Sequence, residues 1–90
     1  MEPLTWSELK QLVGKPVWIK KTYLKKGKWV VIWFFDSLKT ENNIFEWFCT
    51  TDDNSFRKEQ QGELWQAYKQ EVLNLPTKPY IPPVIIINGK

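Results

Sequence analysis

The spacing of apolar residues near the start of the chain predicts one short helix. Four apolar residues recur at helical spacing: Trp6, Leu9, Leu12 and Val13. Thr5 and Glu8 form a T-x-x-E capping box, in which each side chain accepts a hydrogen bond from the other residue's backbone N–H. Gly14 suits a left-handed helix end, and Pro16 prevents the helix from resuming. We therefore predict a helix over roughly residues 5–13.

Strand patterns follow from Pro16 onwards. We predict strands at 16–23, 28–35, 44–50 and 55–58, separated by turns rich in glycine, asparagine and aspartate. The second strand, KWVVIWFF, is apolar on both faces and is expected to be central and covered on both sides. Its alternation places two sets of side chains on opposite faces: Trp29, Val31 and Trp33 on one, and Val30, Ile32 and Phe34 on the other.

The segment 63–72 fits two patterns. Leu64, Tyr68 and Val72 recur every four residues, and most of its residues favour a helix. The same residues also alternate in a way that suits a strand. The pattern by itself leaves both structures open.

The C-terminal residues differ in composition from the rest. Residues 76–83 contain four prolines, which impose an extended path, and Val84–Ile87 is an apolar β-run. We therefore divide the chain into a small β domain, 1–75, and a proline-rich arm, 76–90. The run is expected to close the protein's own sheet or to add a strand to a second copy, so that the chain forms a homo-oligomer. The predicted oligomerisation residues are Pro82, Pro83, Val84, Ile85, Ile86 and Ile87.

Composition indicates a folded, mainly β domain. Six Trp, five Phe and three Tyr in 90 residues supply apolar area that a disordered chain lacks. We expect a small, strongly bent antiparallel sheet, an SH3-like partial barrel, with one short N-terminal helix. The single cysteine excludes an internal disulfide, and the sequence shows neither a signal peptide nor a membrane-spanning run. These features predict a cytoplasmic protein with no membrane partner.

Charge is unevenly distributed although the net charge is only +3. Seven lysines and no acids lie between Glu8 and Asp36: Lys10, Lys15, Lys20, Lys21, Lys25, Lys26 and Lys28. Acids predominate from Asp36 to Glu71. The basic half is either a solvated hairpin or a surface that attracts phosphates.

Residues that usually carry catalysis are scarce. The chain has no histidine, no glycine-rich phosphate loop and no cysteine pair, so we predict no enzyme, no cofactor and no metal site. Cys49 is expected to be a small buried apolar residue. Asp52 and Asp53 are expected to be solvated turn residues rather than cation ligands.

The remaining candidate chemistry combines aromatic rings with cations. Nucleobases stack on indole rings while cations hold phosphates, and this chemistry predicts a set of ligand-binding residues: Trp18, Lys20, Lys21, Trp33, Trp47, Arg57, Trp65 and Tyr68. Each tryptophan has an alternative role in the core. Arg57 has an alternative role in a surface ion pair with Glu59 or Asp53.

The opening PLTWSELKQLVGKPVWI resembles a set of short phage and prophage proteins of Gram-positive bacteria. Their P-L-T-x-x-E-L-x-x-x-x-G-x-P-V-W motif falls here on Pro3, Leu4, Thr5, Glu8, Leu9, Gly14, Pro16, Val17 and Trp18. Their closing G-x-x-W-x-x-Y is matched by Gly62, Trp65 and Tyr68. In such proteins the closing stretch is a strand, which favours a strand for 63–70. The resemblance covers the first nineteen residues and 62–68.

That resemblance implies a phage accessory protein in the cytoplasm of an infected bacterial host. Small phage proteins of this kind often counter bacterial defence, and one class captures nucleotide signals without cleaving them. We therefore expect non-catalytic sequestration of a nucleotide-derived immune signal. One alternative is inhibition of a host protein by direct contact. Another is nucleic-acid binding, against which the modest net charge argues.

Overall fold

The computed structural model describes residues 2–80, which form one antiparallel sheet and a short helix. The elements are α1 (Trp6–Lys10), β1 (Pro16–Lys21), β2 (Lys28–Lys39), β3 (Ile44–Thr50), β4 (Ser55–Arg57), a 3-10 helix (Lys58–Gln60) and β5 (Trp65–Tyr68). The strand order is β4-β3-β2-β1-β5, and every neighbouring pair is antiparallel. The mainly β fold and the strand within 63–70 are confirmed. The sheet is not closed, because β4 and β5 are its edges.

Helix α1 begins where the capping box predicted and ends earlier than expected. The Glu8 N–H donates to Thr5 Oγ1 at 3.1 Å, and the Thr5 N–H donates to Glu8 Oε1 at 2.9 Å. These bonds lower the pKa of Glu8 below its ordinary value. The helix ends at Lys10 because the following residues form tighter turn bonds, such as Leu12 N–H to Leu9 O at 3.0 Å. Val13 is consequently exposed rather than on the inner face.

Strand β2 is central, as predicted, but it contains a bulge that changes which of its side chains point toward the core. Ile32 pairs with Thr50, whereas Phe34 pairs with the preceding residue of β3, Cys49. Trp33 is therefore an extra residue, and alternation shifts by one position after it. Phe34 points away from the core instead of sharing a face with Ile32. The outer face of β2 is also largely uncovered, which corrects the expectation of cover on both sides.

The core lies on the inner face of the sheet, beneath α1. Its buried side chains are Leu4, Trp6, Leu9, Val17, Ile19, Val30, Ile32, Phe48, Phe56, Trp65 and Ala67. Aromatic rings dominate the centre: Phe48 stacks on Phe56 at 5.3 Å and meets Trp65 edge-on at 5.5 Å. Because aromatic side chains bury large areas, these few rings are sufficient to form a compact core in a short chain.

After β5 the chain folds back across β1. The Lys78 N–H donates to Thr22 O at 2.8 Å, and the rings of Tyr80 and Tyr23 lie 4.7 Å apart. The first residues of the predicted arm, 76–80, therefore contact the domain that precedes them. The predicted oligomerisation residues, Pro82 to Ile87, lie outside the described residues.

Candidate functional site

The outer face of the sheet at β1, β2 and β5 includes four side chains of interest for a site: Trp18, Lys20, Trp29 and Tyr68. They point outward because Val17 and Ile19, which alternate with them on β1, belong to the core. Trp18 is the centre of this face, since its cross-strand neighbours are Trp29 on β2 and Tyr68 on β5. The rings of Trp18 and Tyr68 lie 6.0 Å apart at an interplanar angle of 55°.

The turn between β1 and β2 packs its backbone against Trp18. A Cβ atom on Gly27 would overlap the indole ring of Trp18, so only glycine allows this close approach. The same turn carries Lys25 and Lys26, both exposed. Close packing of Gly27 on the indole thus fixes the positions of Lys25 and Lys26 relative to the outer face.

A groove of about 370 Å³ opens between this turn and the segment that follows β5. Its lining residues are Trp18, Lys20, Lys25, Lys26, Gly27, Lys28, Trp29, Glu71, Val72, Leu73, Asn74 and Leu75. Trp29 is 50% exposed, so one indole in the groove has free surface for a ligand. Hereafter these residues are called the lysine groove.

The charges of the lysine groove are mostly positive and largely unpaired. Lys28 Nζ lies 2.8 Å from Asp52 Oδ2, a residue outside the groove lining. Within residues 2–80, no carboxylate lies within 4.0 Å of the ammonium groups of Lys25 or Lys26. Among the described residues of the lining, Glu71 is the one acid. The groove therefore has a positive potential with a single carboxylate at its edge.

Lys20 differs from the other lysines of the groove because it is buried, with only 4% of its surface exposed. Its Nζ contacts two backbone carbonyl oxygens, Lys21 O at 3.4 Å and Pro76 O at 3.5 Å. Both contacts are at the long limit of a hydrogen bond. No carboxylate of residues 2–80 forms an ion pair with it. A buried ammonium without a counter-ion is unfavourable, and a bound anion would relieve that cost.

A second depression, of about 190 Å³, lies on the other side of Lys20 and Leu75. Its other lining residues are Thr22, Gly62, Gln66, Tyr68, Pro76 and Lys78. Burial raises the pKa of Tyr68 above its ordinary value, which keeps its hydroxyl protonated and available as a hydrogen-bond donor. Lys20 is thus shared by both depressions.

The structure divides the predicted ligand-binding residues among four places. Trp18, Lys20 and Tyr68 lie together at the two depressions just described. Lys21 and Trp65 line a separate depression beside Tyr80, and Trp65 is buried with its indole N–H donating to Arg57 O at 3.0 Å. The eight residues therefore do not form one site.

The other three lie on the far part of the sheet. Trp47 and Arg57 are cross-strand neighbours beside a shallow cavity of about 350 Å³, and Trp33 stands at the β2 bulge, 64% exposed. The Arg57 guanidinium lies 3.4 Å from Glu59, so the ion pair considered from the sequence is present.

Sequence reasoning missed Trp29 as a site residue and assigned it to the core. It also missed Lys25, Lys26 and Glu71 as groove residues. The lysines were visible as a basic run close to Trp29 in sequence, but the groove itself requires the fold-back of residues 71–75, which no local pattern indicates. One smaller expectation is corrected as well: Cys49 is only partly buried. Asp52 and Asp53 are exposed residues of the turn after β3, as expected, and Asp52 also pairs with Lys28.

Asp52 is the acid whose ionisation the structure perturbs most clearly. Hydrogen bonds from Lys28 and Thr50 lower its pKa from 3.8 to about 2. Asn54 donates a further bond to the same carboxylate at 3.1 Å. This network ties the start of β2 to the turn after β3.

Neither a metal-ligand cluster nor a membrane-spanning helix is present in residues 2–80. That part of the chain contains no group of three or more His, Cys, Asp or Glu side chains arranged to hold a metal ion. No helix in the same range has the length and apolar content needed to cross a bilayer.

Comparisons of the chain with protein-family models, with curated proteins and with solved structures gave no match.

Proposed function

We propose that the protein binds a nucleotide-derived, phosphate-bearing small molecule in the lysine groove, without catalysing a reaction on it. The observation that carries the proposal is Lys20, a buried lysine with no carboxylate partner in residues 2–80, which lines the same groove as Lys25 and Lys26, and these two also form no ion pair within that range. A phosphate is the anion that three converging ammonium groups suit.

The indole of Trp29 supports a nucleotide rather than inorganic phosphate. Stacking of a base on an aromatic ring contributes about 1–3 kcal/mol, and Trp29 has half of its surface exposed beside the lysines. The carboxylate of Glu71 suits the amino group of a base or the hydroxyls of a ribose. The groove volume of about 370 Å³ falls in the range of small-molecule sites.

The biological setting belongs to the same proposal. We infer a phage accessory protein that acts in the cytoplasm of the infected bacterium and withholds a nucleotide immune signal by binding it. We also propose that the chain forms a homo-oligomer and that its sheet is an SH3-like partial barrel. Support for the barrel comes from the hydrogen bond that joins β5 to the end of β4.

Calorimetric titration tests the binding. The full chain is titrated with nucleoside mono-, di- and triphosphates, cyclic mono- and dinucleotides, and inorganic phosphate. We expect one class of nucleotide to bind at one site per chain and to be recovered intact by mass spectrometry after heat release. Absence of binding by the entire panel, with no small molecule retained in native mass spectrometry of protein from a bacterial host, would overturn the proposal.

Variants locate the site. Lys25→Gln with Lys26→Gln should weaken binding at least tenfold, and Trp29→Ala should do the same by removing the stacking surface. Lys39→Gln is the matched control, because Lys39 is an exposed lysine at the opposite end of β2 from the groove. Equal loss of affinity in Lys39→Gln would mean that only overall charge matters, contrary to a specific groove.

A further inference from the structure

Beyond the lysine groove, the outer face of the sheet continues as an uncovered apolar surface. The residues that form it are Trp33, Phe34, Leu38, Phe45, Trp47 and Cys49, here called the β3 face. They point outward because Phe35 and Phe48, which alternate with them, pack against Trp6 in the core. Trp33 and Leu38 are 64% and 57% exposed, so no segment of residues 2–80 covers them.

One cross-strand row that passes through the β3 face at Trp47 has an acid on one side of the indole and a base on the other. Asp36 on β2, Trp47 on β3 and Arg57 on β4 are aligned by the strand register. Since neighbouring strands lie about 4.8 Å apart, the acid and the base are about 10 Å apart, with Trp47 between them.

The Asp36 carboxylate and the Arg57 guanidinium can each form an ion pair with a further partner. Asp36 Oδ1 accepts from the Ser37 N–H at 2.8 Å, and among residues 2–80 no ammonium or guanidinium lies within 4.0 Å of the carboxylate. Arg57 Nη2 contacts Glu59 at 3.4 Å. That contact leaves other N–H donors of the guanidinium free.

We propose that the β3 face binds a second copy of the chain across a twofold axis parallel to β3. Rotation about this axis places β2 of one copy over β4 of the other. Asp36 then faces Arg57 of the second copy, Arg57 faces its Asp36, and the two Trp47 rings meet at the centre. The proposal is independent of the lysine groove.

The charge pattern selects this axis over the alternative. A twofold axis perpendicular to β3 would set Asp36 against Asp36 and Arg57 against Arg57, and such like-charge pairs are strongly unfavourable in an interface. An axis parallel to β3 gives aligned packing of two sheets, a common arrangement with the sheets about 10 Å apart.

Charge exchange tests the pairing directly. Asp36→Arg and Arg57→Asp should each raise the dimer dissociation constant at least tenfold in sedimentation equilibrium, because each variant sets like charges against each other. An equimolar mixture of the two variants should associate as the wild type does, since both cross-interface pairs are then complementary. The double variant should dimerise with itself for the same reason. A mixture that stays monomeric while wild type dimerises would overturn the proposed axis.

Cys49 supplies a second measurement. It lies two residues from Trp47 on β3, so the axis brings Cys49 of each copy opposite its equivalent. A sheet separation of about 10 Å is too long for a disulfide, and a short bifunctional maleimide should link the copies instead. Linking should be lost in Cys49→Ser and in Asp36→Arg. Efficient linking between two copies of the Asp36→Arg variant would contradict the proposal.

Either of two results would also overturn it. If wild type is monomeric, and Ile85→Glu with Ile87→Glu raises the reaction rate of the Cys49 thiol severalfold, the chain's own C-terminal residues occupy the face. If wild type stays monomeric at high micromolar concentration and these variants leave that rate unchanged, a second copy is not the partner.

Discussion

The indole N–H of Trp65 donates a hydrogen bond to the backbone carbonyl oxygen of Arg57 at 3.0 Å. Trp65 begins β5 and Arg57 ends β4, so this one bond joins the two edge strands of an open sheet. The bond thus connects strands that lie at opposite ends of the strand order. The bond also explains why Trp65 is a structural residue.

Replacement of Trp65 by phenylalanine should destabilise the fold by about 2–3 kcal/mol. The change leaves the Arg57 carbonyl without its donor and creates a cavity beside Phe48 and Phe56. Urea unfolding followed by circular dichroism measures the loss. Trp33→Phe is the control, and its effect should be below about 0.5 kcal/mol because Trp33 is exposed. Similar losses in the two variants would contradict the assignment of Trp65 to the core.

Gly27→Ala should displace Trp18 and lower the free energy of unfolding by about 1–3 kcal/mol. The added methyl group overlaps a rigid indole ring rather than a flexible chain end. Near-ultraviolet circular dichroism should report the altered ring environment, and thermal unfolding the loss of stability. Lys26→Ala, at the exposed neighbouring position, should change neither. An unchanged spectrum for Gly27→Ala would show that the turn does not pack on Trp18.

Asp52→Asn should destabilise the protein at neutral pH and have no effect in strong acid. Hydrogen bonds from Lys28 and Thr50 stabilise the charged form, so the folded-state pKa of about 2 lies below the ordinary 3.8. The contribution is therefore complete above the ordinary pKa and disappears as the pH falls through about 2. It should not exceed about 1 kcal/mol, since the pair is partly exposed.

Thermal unfolding of Asp52→Asn and wild type between pH 7 and pH 2 checks this dependence. Asp53→Asn is the matched control, because Asp53 has a φ of 65° that asparagine also tolerates and makes no comparable bonds in residues 2–80. A constant difference between Asp52→Asn and wild type at all pH values would exclude the ion pair as its cause.

Lys20→Met should separate binding from stability. Removal of a buried ammonium that has only long contacts to carbonyl oxygens should raise the free energy of unfolding by about 1 kcal/mol, while nucleotide affinity falls at least tenfold. Urea unfolding and calorimetric titration measure the two effects. Lys39→Met, at an exposed site, is the control for loss of charge. A large loss of stability in Lys20→Met would mean that the ammonium is structurally required.

Local sequence determined the elements of the fold. Thr5 and Glu8 start the helix through backbone bonds between residues three apart, and runs of β-forming residues between polar turns locate the strands. The strand at Trp65–Tyr68 came from a resemblance, because its periodicity fitted a helix equally well. The helix start and the approximate positions of the first four strands depend on neighbours in the chain, so local sequence specifies them, whereas the local pattern of the fifth strand did not decide its structure.

Tertiary structure decided which faces are covered and which residues meet. The bulge at Trp33 reversed the facing of Phe34, and the fold-back of residues 71–78 buried Lys20 while leaving Trp29 half exposed. Alternation along a strand assigns residues to two faces, but it does not say which face another segment will cover. Coverage depends on contacts between residues distant in sequence, and for that reason the groove and the β3 face were visible only in the folded chain.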